Sequence, residues 1–125
     1  MFDMERYRAL CAKIRAQFDQ KDRARERGLA LSREVVRHSA NAIRAIHRRN
    51  YAEARALIEA IHGLVAEMNA VLADHPDVKY AGFVHDSQKE YAEATIFLSV
   101  VVGEPLPDPD DLGVDYPAYL HGVGD

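Results

Sequence analysis

The sequence predicts an all-α protein, built as an antiparallel bundle of about four long helices. Three observations predict this fold. No proline occurs before Pro76, and only Gly28 and Gly63 interrupt the helix-forming composition of that stretch. Apolar residues recur there at spacings of three and four, as on one face of an α-helix. No segment alternates apolar and polar residues with the period of two that a half-buried strand requires.

The first helix is predicted to run from about residue 2 to residue 48. The helical spacing predicts that its core-facing side carries the apolar residues Leu10, Ile14, Phe18, Leu29, Val36, Ile43 and Ile46. Gly28, near the middle, is a candidate kink or break, so we expect either one long helix or two nearly collinear ones. The one cysteine, Cys11, is expected to be a small buried or half-buried helical residue.

A second helix is predicted over residues 51–73, directly after Asn50. Asn50 is a favourable N-cap residue, and Glu53 three positions later completes a capping box. Pro76 ends this helix because proline has no backbone N–H to donate. The predicted core face consists of Leu57, Ile61, Leu64, Met68 and Leu72.

The rest of the chain is predicted to hold two more helices, separated by a linker. The third helix is expected over residues 78–102. Residues 103–113 are rich in Pro, Gly and Asp, which predicts a linker with one short turn at Asp108. The fourth helix is expected to begin near Tyr116, to be capped by Asp115 and to continue to the end of the chain.

Length and composition bound the class of protein. With 48% hydrophobic and 29% charged residues, the 125 positions predict a single folded domain over residues 1–125. The longest apolar run, residues 96–102, is far shorter than a bilayer span, so no membrane association is expected. The N-terminus lacks the apolar segment of a signal peptide, and a single cysteine cannot form an internal disulfide. Both features predict a reducing, cytoplasmic location.

Charge is divided unevenly between the two halves of the chain. Residues 1–50 hold 13 Lys and Arg against 6 Asp and Glu, a net +7, whereas residues 51–125 hold 3 against 14, a net −11. Arginine suits bidentate contact with phosphate, so an arginine stripe predicts weakly sequence-specific binding to a nucleic-acid backbone. The alternative is a solvated helix face. The stripe keeps one helical register at Arg33, Arg37, Arg44 and Arg48.

The third predicted helix carries a candidate metal site. Asp86, Glu90 and Glu93 follow one another at spacings of four and three, so their carboxylates share one helix face. With another carboxylate from a facing helix, Glu90 and Glu93 can bind Mg²⁺ or Mn²⁺ through oxygen ligands. The bulky Phe97, one turn after Glu93, indicates that this carboxylate is partly buried. The alternative is a solvated acidic face.

Other catalytic signatures are missing from the sequence. The six histidines form no H-E-x-x-H or E-x-x-H pair, and there is no P-loop, nucleophile elbow or cysteine cluster. His85 and His121 are candidates for positions near the acidic helix, the alternative being plain surface or packing histidines.

Several segments, in chain order over residues 25–125, resemble the translin family, and the likeness is closer to its ribonuclease-bearing branch. The chain looks like a prokaryotic-type member. No single motif is decisive, but the ordered set is fairly specific. Residues 25–33 (RERGLALSR) and 42–48 (AIRAIHR) are similar to the family's long first helix. Residues 75–76, 80–83 and 88–94 (QKEYAEA) are similar to its third helix. Residues 112–114 and 119–125 (YLHGVGD) are similar to the segment that follows.

The resemblance implies an all-α protein that assembles into closed homo-oligomers, commonly octamers, around RNA or single-stranded DNA. It implies a Mg²⁺-dependent endoribonuclease site whose catalytic and metal-binding residues match Glu90, Glu93 and Asp125. All three matching positions are acidic here, as in the catalytic branch and unlike translin proper. The family continues for several helices after the position of Asp125, so this chain is expected to correspond to its N-terminal part.

Three alternatives remain open at this stage. One is a non-catalytic nucleic-acid-binding oligomer of the translin type. Another is an all-α nucleotide pyrophosphohydrolase, which also uses a helical Glu-x-x-Glu pair with Mg²⁺, but no clear second acidic pair follows Glu93. The last is a purely structural helical interaction module, which leaves the ordered resemblance unexplained.

Overall fold

The computed structural model describes residues 1–124, and over that range the chain forms helices and no strand, which confirms the all-α prediction. The described residues form six helices. The short turn between the first two makes them antiparallel, and the fourth helix packs against the first and the sixth. The bounds are α1 Met4–His47, α2 Tyr51–Leu72, α3 Pro76–Lys79, α4 Gly82–Val102, α5 Pro109–Leu112 and α6 Tyr116–Gly124.

The first helix is a single unbroken element, which confirms the expectation of one long helix and excludes a break into two helices at Gly28. Gly28 serves close packing instead. A Cβ placed there would lie 3.1 Å and 3.2 Å from the two δ-carbons of Leu72, which packs against the bare glycine backbone from α2. The half-buried state predicted for Cys11 is confirmed.

The predicted core face of α1 is wrong for its N-terminal half. Leu10, Ile14 and Phe18 are 46%, 51% and 61% exposed, and Val36 is exposed as well. The cause is helix length: α1 has 44 residues and α2 only 22, so α2 covers no more than half of its neighbour. The apolar residues of α1 that reach the core are Ala24, Leu31, Val35, Ala42, Ala45 and Ile46.

The turn between α1 and α2 follows the sequence prediction. The Asn50 side chain accepts a hydrogen bond from the backbone N–H of Glu53 at 3.2 Å, and its amide nitrogen donates to the Glu53 carboxylate at 3.0 Å. Ile61, Met68 and Leu72 on α2 are buried as predicted.

The predicted start of the third helix at residue 78 is wrong. Pro76 instead begins the four-residue α3, in which Val78 is buried, and the chain then turns through an extended Ala81 before α4 begins at Gly82. Tyr80 therefore lies outside the helix and is 73% exposed. The short α3 forms because the His75 carbonyl accepts hydrogen bonds from the backbone N–H groups of Val78 and Lys79.

The linker after α4 is held against the bundle by two side chains. The predicted short turn at Asp108 is confirmed as α5, capped by the Asp108 carboxylate, which accepts from the Asp110 N–H at 2.8 Å. Asn69 on α2 donates to the Gly113 carbonyl at 2.8 Å, and the buried Gln88 on α4 accepts from the Asp115 N–H at 3.0 Å. These bonds fix where α6 starts.

The middle of the core contains Tyr91 of α4, which is fully buried among residues of α1 and α2. Its hydroxyl lies 3.3 Å from Nδ1 of His62. Burial raises the pKa of Tyr91 to about 12 because the charged phenolate is poorly solvated there. No helix in the described part of the chain is long and apolar enough to cross a membrane.

Candidate metal and nucleic-acid site

The acidic pair lies on α4, the helix that connects the core to the C-terminal α6. Glu90 and Glu93 are both half-buried, whereas Asp86, one turn earlier on the same face, is exposed. The ammonium group of Lys89 is 3.9 Å from a carboxylate oxygen of Glu90, at the outer limit of an ion pair. Half burial makes these two carboxylates costlier to leave without an interaction partner than the carboxylates of a solvated acidic face.

Glu93 lines a pocket of about 300 Å³ between three helices. The α1 wall of this pocket is formed by Ile43 and His47. The imidazole of His47 packs against the ring of Phe97, with ring centroids 5.3 Å apart. The pocket thus brings one carboxylate and one imidazole, which are far apart in sequence, to the same apolar cavity.

The third wall of the pocket is α6, which crosses α4 at Gly122. A Cβ at Gly122 would lie 3.0 Å from the Cβ of Ala92 and 3.1 Å from both the Glu93 nitrogen and the Lys89 carbonyl oxygen. Two of these three neighbours are backbone atoms, which cannot rotate away. A Cβ here would force these neighbours to shift by a few tenths of an ångström, so Gly122 allows the close approach of α6 to the acidic pair.

Asp125, the third predicted ligand, lies outside the described residues. Within residues 1–124, no three His, Cys, Asp or Glu side chains form a group suited to a metal ion. The described part of the predicted ligand set is therefore the Glu90–Glu93 pair, whose oxygen donors suit Mg²⁺ or Mn²⁺.

The four predicted nucleic-acid-binding arginines are all exposed on α1. Arg44 donates to the Asn41 side chain at 2.7 Å, and Arg48 pairs with Glu53 at 2.9 Å. Neither Arg33 nor Arg37 forms an ion pair with any residue in the described range 1–124. These two guanidinium groups are thus the ones most available for phosphate.

The arginine stripe borders the pocket without entering it. Arg44 follows Ile43, and Arg48 follows His47, so each arginine projects about 100° around α1 from a residue of the pocket wall. A nucleic-acid backbone lying along the stripe would therefore pass beside the acidic pair.

His85 on α4 and His121 on α6 meet in the structure, as the sequence suggested for their position near the acidic helix. Nε2 of His85 lies 2.9 Å from Nδ1 of His121, and the rings are arranged edge to face. One imidazole must be neutral to accept this hydrogen bond. The contact ties the start of α4 to α6.

Sequence reasoning missed two residues of this site, His47 and Gly122. His47 is 46 positions from Glu93, and no local motif links the two. Gly122 has a sequence signal, since a glycine inside a short helix carries an energetic cost that close packing can explain. Only the helix crossing shows what approaches it.

No protein-family model matches the sequence, and no curated protein matches it. The fold is similar to that in the crystal structure of apo-NeC3PO, with a TM-score of 0.83 and 21% sequence identity. The match covers 92% of this chain and 61% of that chain, so this chain spans less than two thirds of that protein's length. At this level of identity, the likeness establishes that the two proteins share a helical fold.

Proposed function

We propose that the protein binds single-stranded RNA or DNA and is an endoribonuclease that cleaves single-stranded RNA with Mg²⁺ or Mn²⁺. The observation that carries this proposal is the close crossing of α6 over α4 at Gly122, beside the half-buried Glu93. Asp125 follows Gly122 by three residues, which limits the distance between their Cα atoms to about 11 Å. The ordered resemblance to the translin family and the shared fold support the same function.

In this proposal Glu90, Glu93 and Asp125 supply the oxygen ligands of the cation. The bound metal would polarise a phosphoryl oxygen and lower the pKa of a water molecule. The water oxygen would bond to phosphorus as the P–O bond to the leaving ribose oxygen breaks, and that oxygen would take a proton from solvent. His47, which lines the same pocket as Glu93, would accept the proton of the attacking water.

The experiment that tests this function is cleavage of an end-labelled single-stranded RNA, with Mg²⁺ and with EDTA. We expect cleavage that requires the metal and stops when EDTA removes it. A second tube contains the same RNA annealed to its complement, and we expect slower cleavage there. If the protein binds the RNA but does not cleave it with either Mg²⁺ or Mn²⁺, the nuclease assignment is contradicted.

A second candidate function is nucleic-acid binding without catalysis, and it is favoured by Arg33 and Arg37, which form no ion pair within residues 1–124. We expect Arg33→Gln/Arg37→Gln to weaken binding and to reduce the salt dependence, with a log–log slope lower by about 0.7 per lost phosphate contact. The measurement is fluorescence anisotropy of labelled single-stranded RNA over a series of salt concentrations.

Arg27→Gln/Arg55→Gln is the matched control for that experiment. It also removes two exposed positive charges, but Arg27 is paired with Glu67 and Arg55 with Glu104, so carboxylates already neutralise both charges locally. An equal loss of affinity in both variants would show that general positive charge, and not the stripe on α1, binds the nucleic acid.

We also propose that the chain forms homo-oligomers, octamer-like in the complete assembly, as the translin resemblance implies. The exposed apolar residues in the N-terminal half of α1 support self-association, because a helix of this length needs a packing partner in water.

A further inference from the structure

Two histidines that the proposed nuclease does not use meet where α4 and α6 cross. Nε2 of His85, in the first turn of α4, lies 2.9 Å from Nδ1 of His121, near the end of α6. The two rings are arranged edge to face, with their centroids 5.0 Å apart. His85 is half-buried and His121 is exposed, so a dissolved ion can reach the pair from solvent.

The backbones that carry the two rings are held together independently of this hydrogen bond. His121 directly precedes Gly122, where a Cβ would lie 3.1 Å from the carbonyl oxygen of Lys89, one turn after His85. Because close helix packing fixes both backbones, little conformational freedom is lost when the two rings bind a shared ion.

The separation of the two nitrogens is close to that of two ligands on one metal ion. Zinc binds imidazole nitrogen at about 2.0–2.1 Å with tetrahedral angles, which places two ligand nitrogens about 3.3 Å apart. The pair therefore has to open by only a few tenths of an ångström from its 2.9 Å separation. A small rotation of the exposed His121 ring is enough for that movement.

The protonation of the pair also suits a metal ion. Metals bind the neutral imidazole through the lone pair of one ring nitrogen. In the hydrogen bond, the accepting ring already directs its lone pair into the shared space and carries its proton on its other nitrogen. Only the donating ring has to move its proton, through solvent, to its other nitrogen. Two neutral rings therefore bind the ion without releasing a proton.

The charged groups around the pair favour a cation. His85 lines a pocket of about 500 Å³, which leaves room for water ligands. The next cation along α4, Lys89, has its ammonium group 3.9 Å from a carboxylate oxygen of Glu90. Two carboxylates against one ammonium group make the local potential favourable for a positive ion. The charged residues that share the pocket with His85 are Asp110, Asp115 and Lys79.

We propose that His85 and His121 together bind a divalent transition metal of the Zn²⁺ class, with water in the remaining coordination positions, and that the ion clasps α6 to α4. Imidazole nitrogen suits Zn²⁺, Ni²⁺ and Cu²⁺, whereas Mg²⁺ prefers oxygen ligands. The site is therefore chemically distinct from the Glu90–Glu93 pair, and it does not depend on the nuclease proposal.

The clasp acts next to the acidic pair. A bound ion replaces one hydrogen bond between α4 and α6 with two coordinate bonds. Since His121 adjoins Gly122, the ion restrains the crossing that brings α6 against the backbone of Glu93. An ion that binds only the folded protein also raises the Tm.

The test measures Zn²⁺ affinity by competition with a chromophoric zinc chelator, with excess Mg²⁺ present to occupy oxygen-ligand sites. The variants are His85→Gln and His121→Gln, whose amides retain hydrogen-bonding groups. We expect each to weaken Zn²⁺ binding at least about 10-fold, since even a residue that only supports a metal ligand contributes that much. The double variant should lose little more than either single variant, because one remaining imidazole no longer chelates.

Two control variants locate the ion. His75→Gln removes an imidazole that lines a separate pocket beside α1, and Glu93→Gln removes a charge of the acidic pair. We expect both to retain the Zn²⁺ affinity of the wild type. Equal affinity in all variants, or a loss in Glu93→Gln as large as in His85→Gln, would overturn the histidine site.

Thermal unfolding followed by circular dichroism tests the clasp. Zn²⁺ should raise the Tm of the wild type and of His75→Gln, and leave the Tm of His85→Gln and His121→Gln unchanged. The metal-free Tm of each variant shows whether it folds. Zinc binding by the wild type without a rise in Tm would overturn the clasp.

Nuclear magnetic resonance of the wild type gives a readout that needs no variant. Of the six histidines in the chain, we expect the ring C–H signals of two to shift together with the first equivalent of Zn²⁺. A shift in one ring alone would show that the two histidines do not share the ion, and would overturn the proposal.

Discussion

Glu93→Gln is expected to lower the rate of metal-dependent RNA cleavage by at least about 100-fold, because changes even in residues that only support a metal ligand cost about 10- to 100-fold. The amide retains the shape of the side chain but loses the negative charge that holds a divalent cation. Since Glu93 is half-buried, water replaces its contribution poorly. The measurements are single-turnover cleavage of RNA and the affinity for Mn²⁺ by calorimetry.

Asp86→Asn is the matched control, because Asp86 lies on the same acidic face of α4 but is exposed and outside the pocket. We expect it to retain Mn²⁺ binding and cleavage within a few-fold of the wild type. RNA affinity should be unchanged in both variants, since the arginine stripe is intact. Full cleavage by Glu93→Gln, or equal losses in both variants, would exclude the proposed role of Glu93.

Gly122→Ala is expected to lower the free energy of unfolding by about 1–3 kcal/mol, the usual cost of forcing an added methyl group into a packed contact. The new Cβ would lie 3.0 Å from the Cβ of Ala92 and 3.1 Å from backbone atoms of Glu93 and Lys89. Relief requires α6 to move away from α4. We therefore also expect weaker Mn²⁺ binding, which links the helix crossing to the proposed site.

Gly63→Ala is the matched control on α2. A Cβ at Gly63 has no neighbour within 4 Å, so only helix propensity changes, and we expect a gain of up to about 1 kcal/mol. The measurement is urea unfolding followed by circular dichroism for both variants, with Mn²⁺ affinity measured in parallel. A stabilising effect of Gly122→Ala would mean that α4 and α6 adjust to the added methyl group at little cost, which contradicts the proposed role of Gly122 in setting their distance.

Most of the helical elements could be predicted from local sequence signals. The Asn50–Glu53 cap and the turn after Asp108 are short-range features, and each formed where the residue types required it. The start of α4 could not be predicted in this way. Apolar spacing continues from Val78 through Phe83, and a single glycine, Gly82, is too weak a signal to place the break at the extended Ala81 that separates α3 from α4.

From the sequence alone, the candidate metal ligands could be recognised only as acidic residues that share one face of one helix. The spacing of Glu90 and Glu93 places them on a common face, but the half-buried state of Glu93 depends on α1 and α6 packing beside it. His47 and Gly122 reach the site from helices that are distant in sequence, so no local pattern could assign them. The role of Asp125 stays a prediction.

The sequence by itself determined the all-α class, the order of the long helices, the arginine stripe and the acidic pair, because each depends on residue type and helical period. The tertiary structure alone decided which half of α1 is buried, since that depends on how far the shorter α2 extends along it. It also decided that α6 crosses α4 beside Glu93, because only the packed bundle brings the bare backbone of Gly122 against that turn.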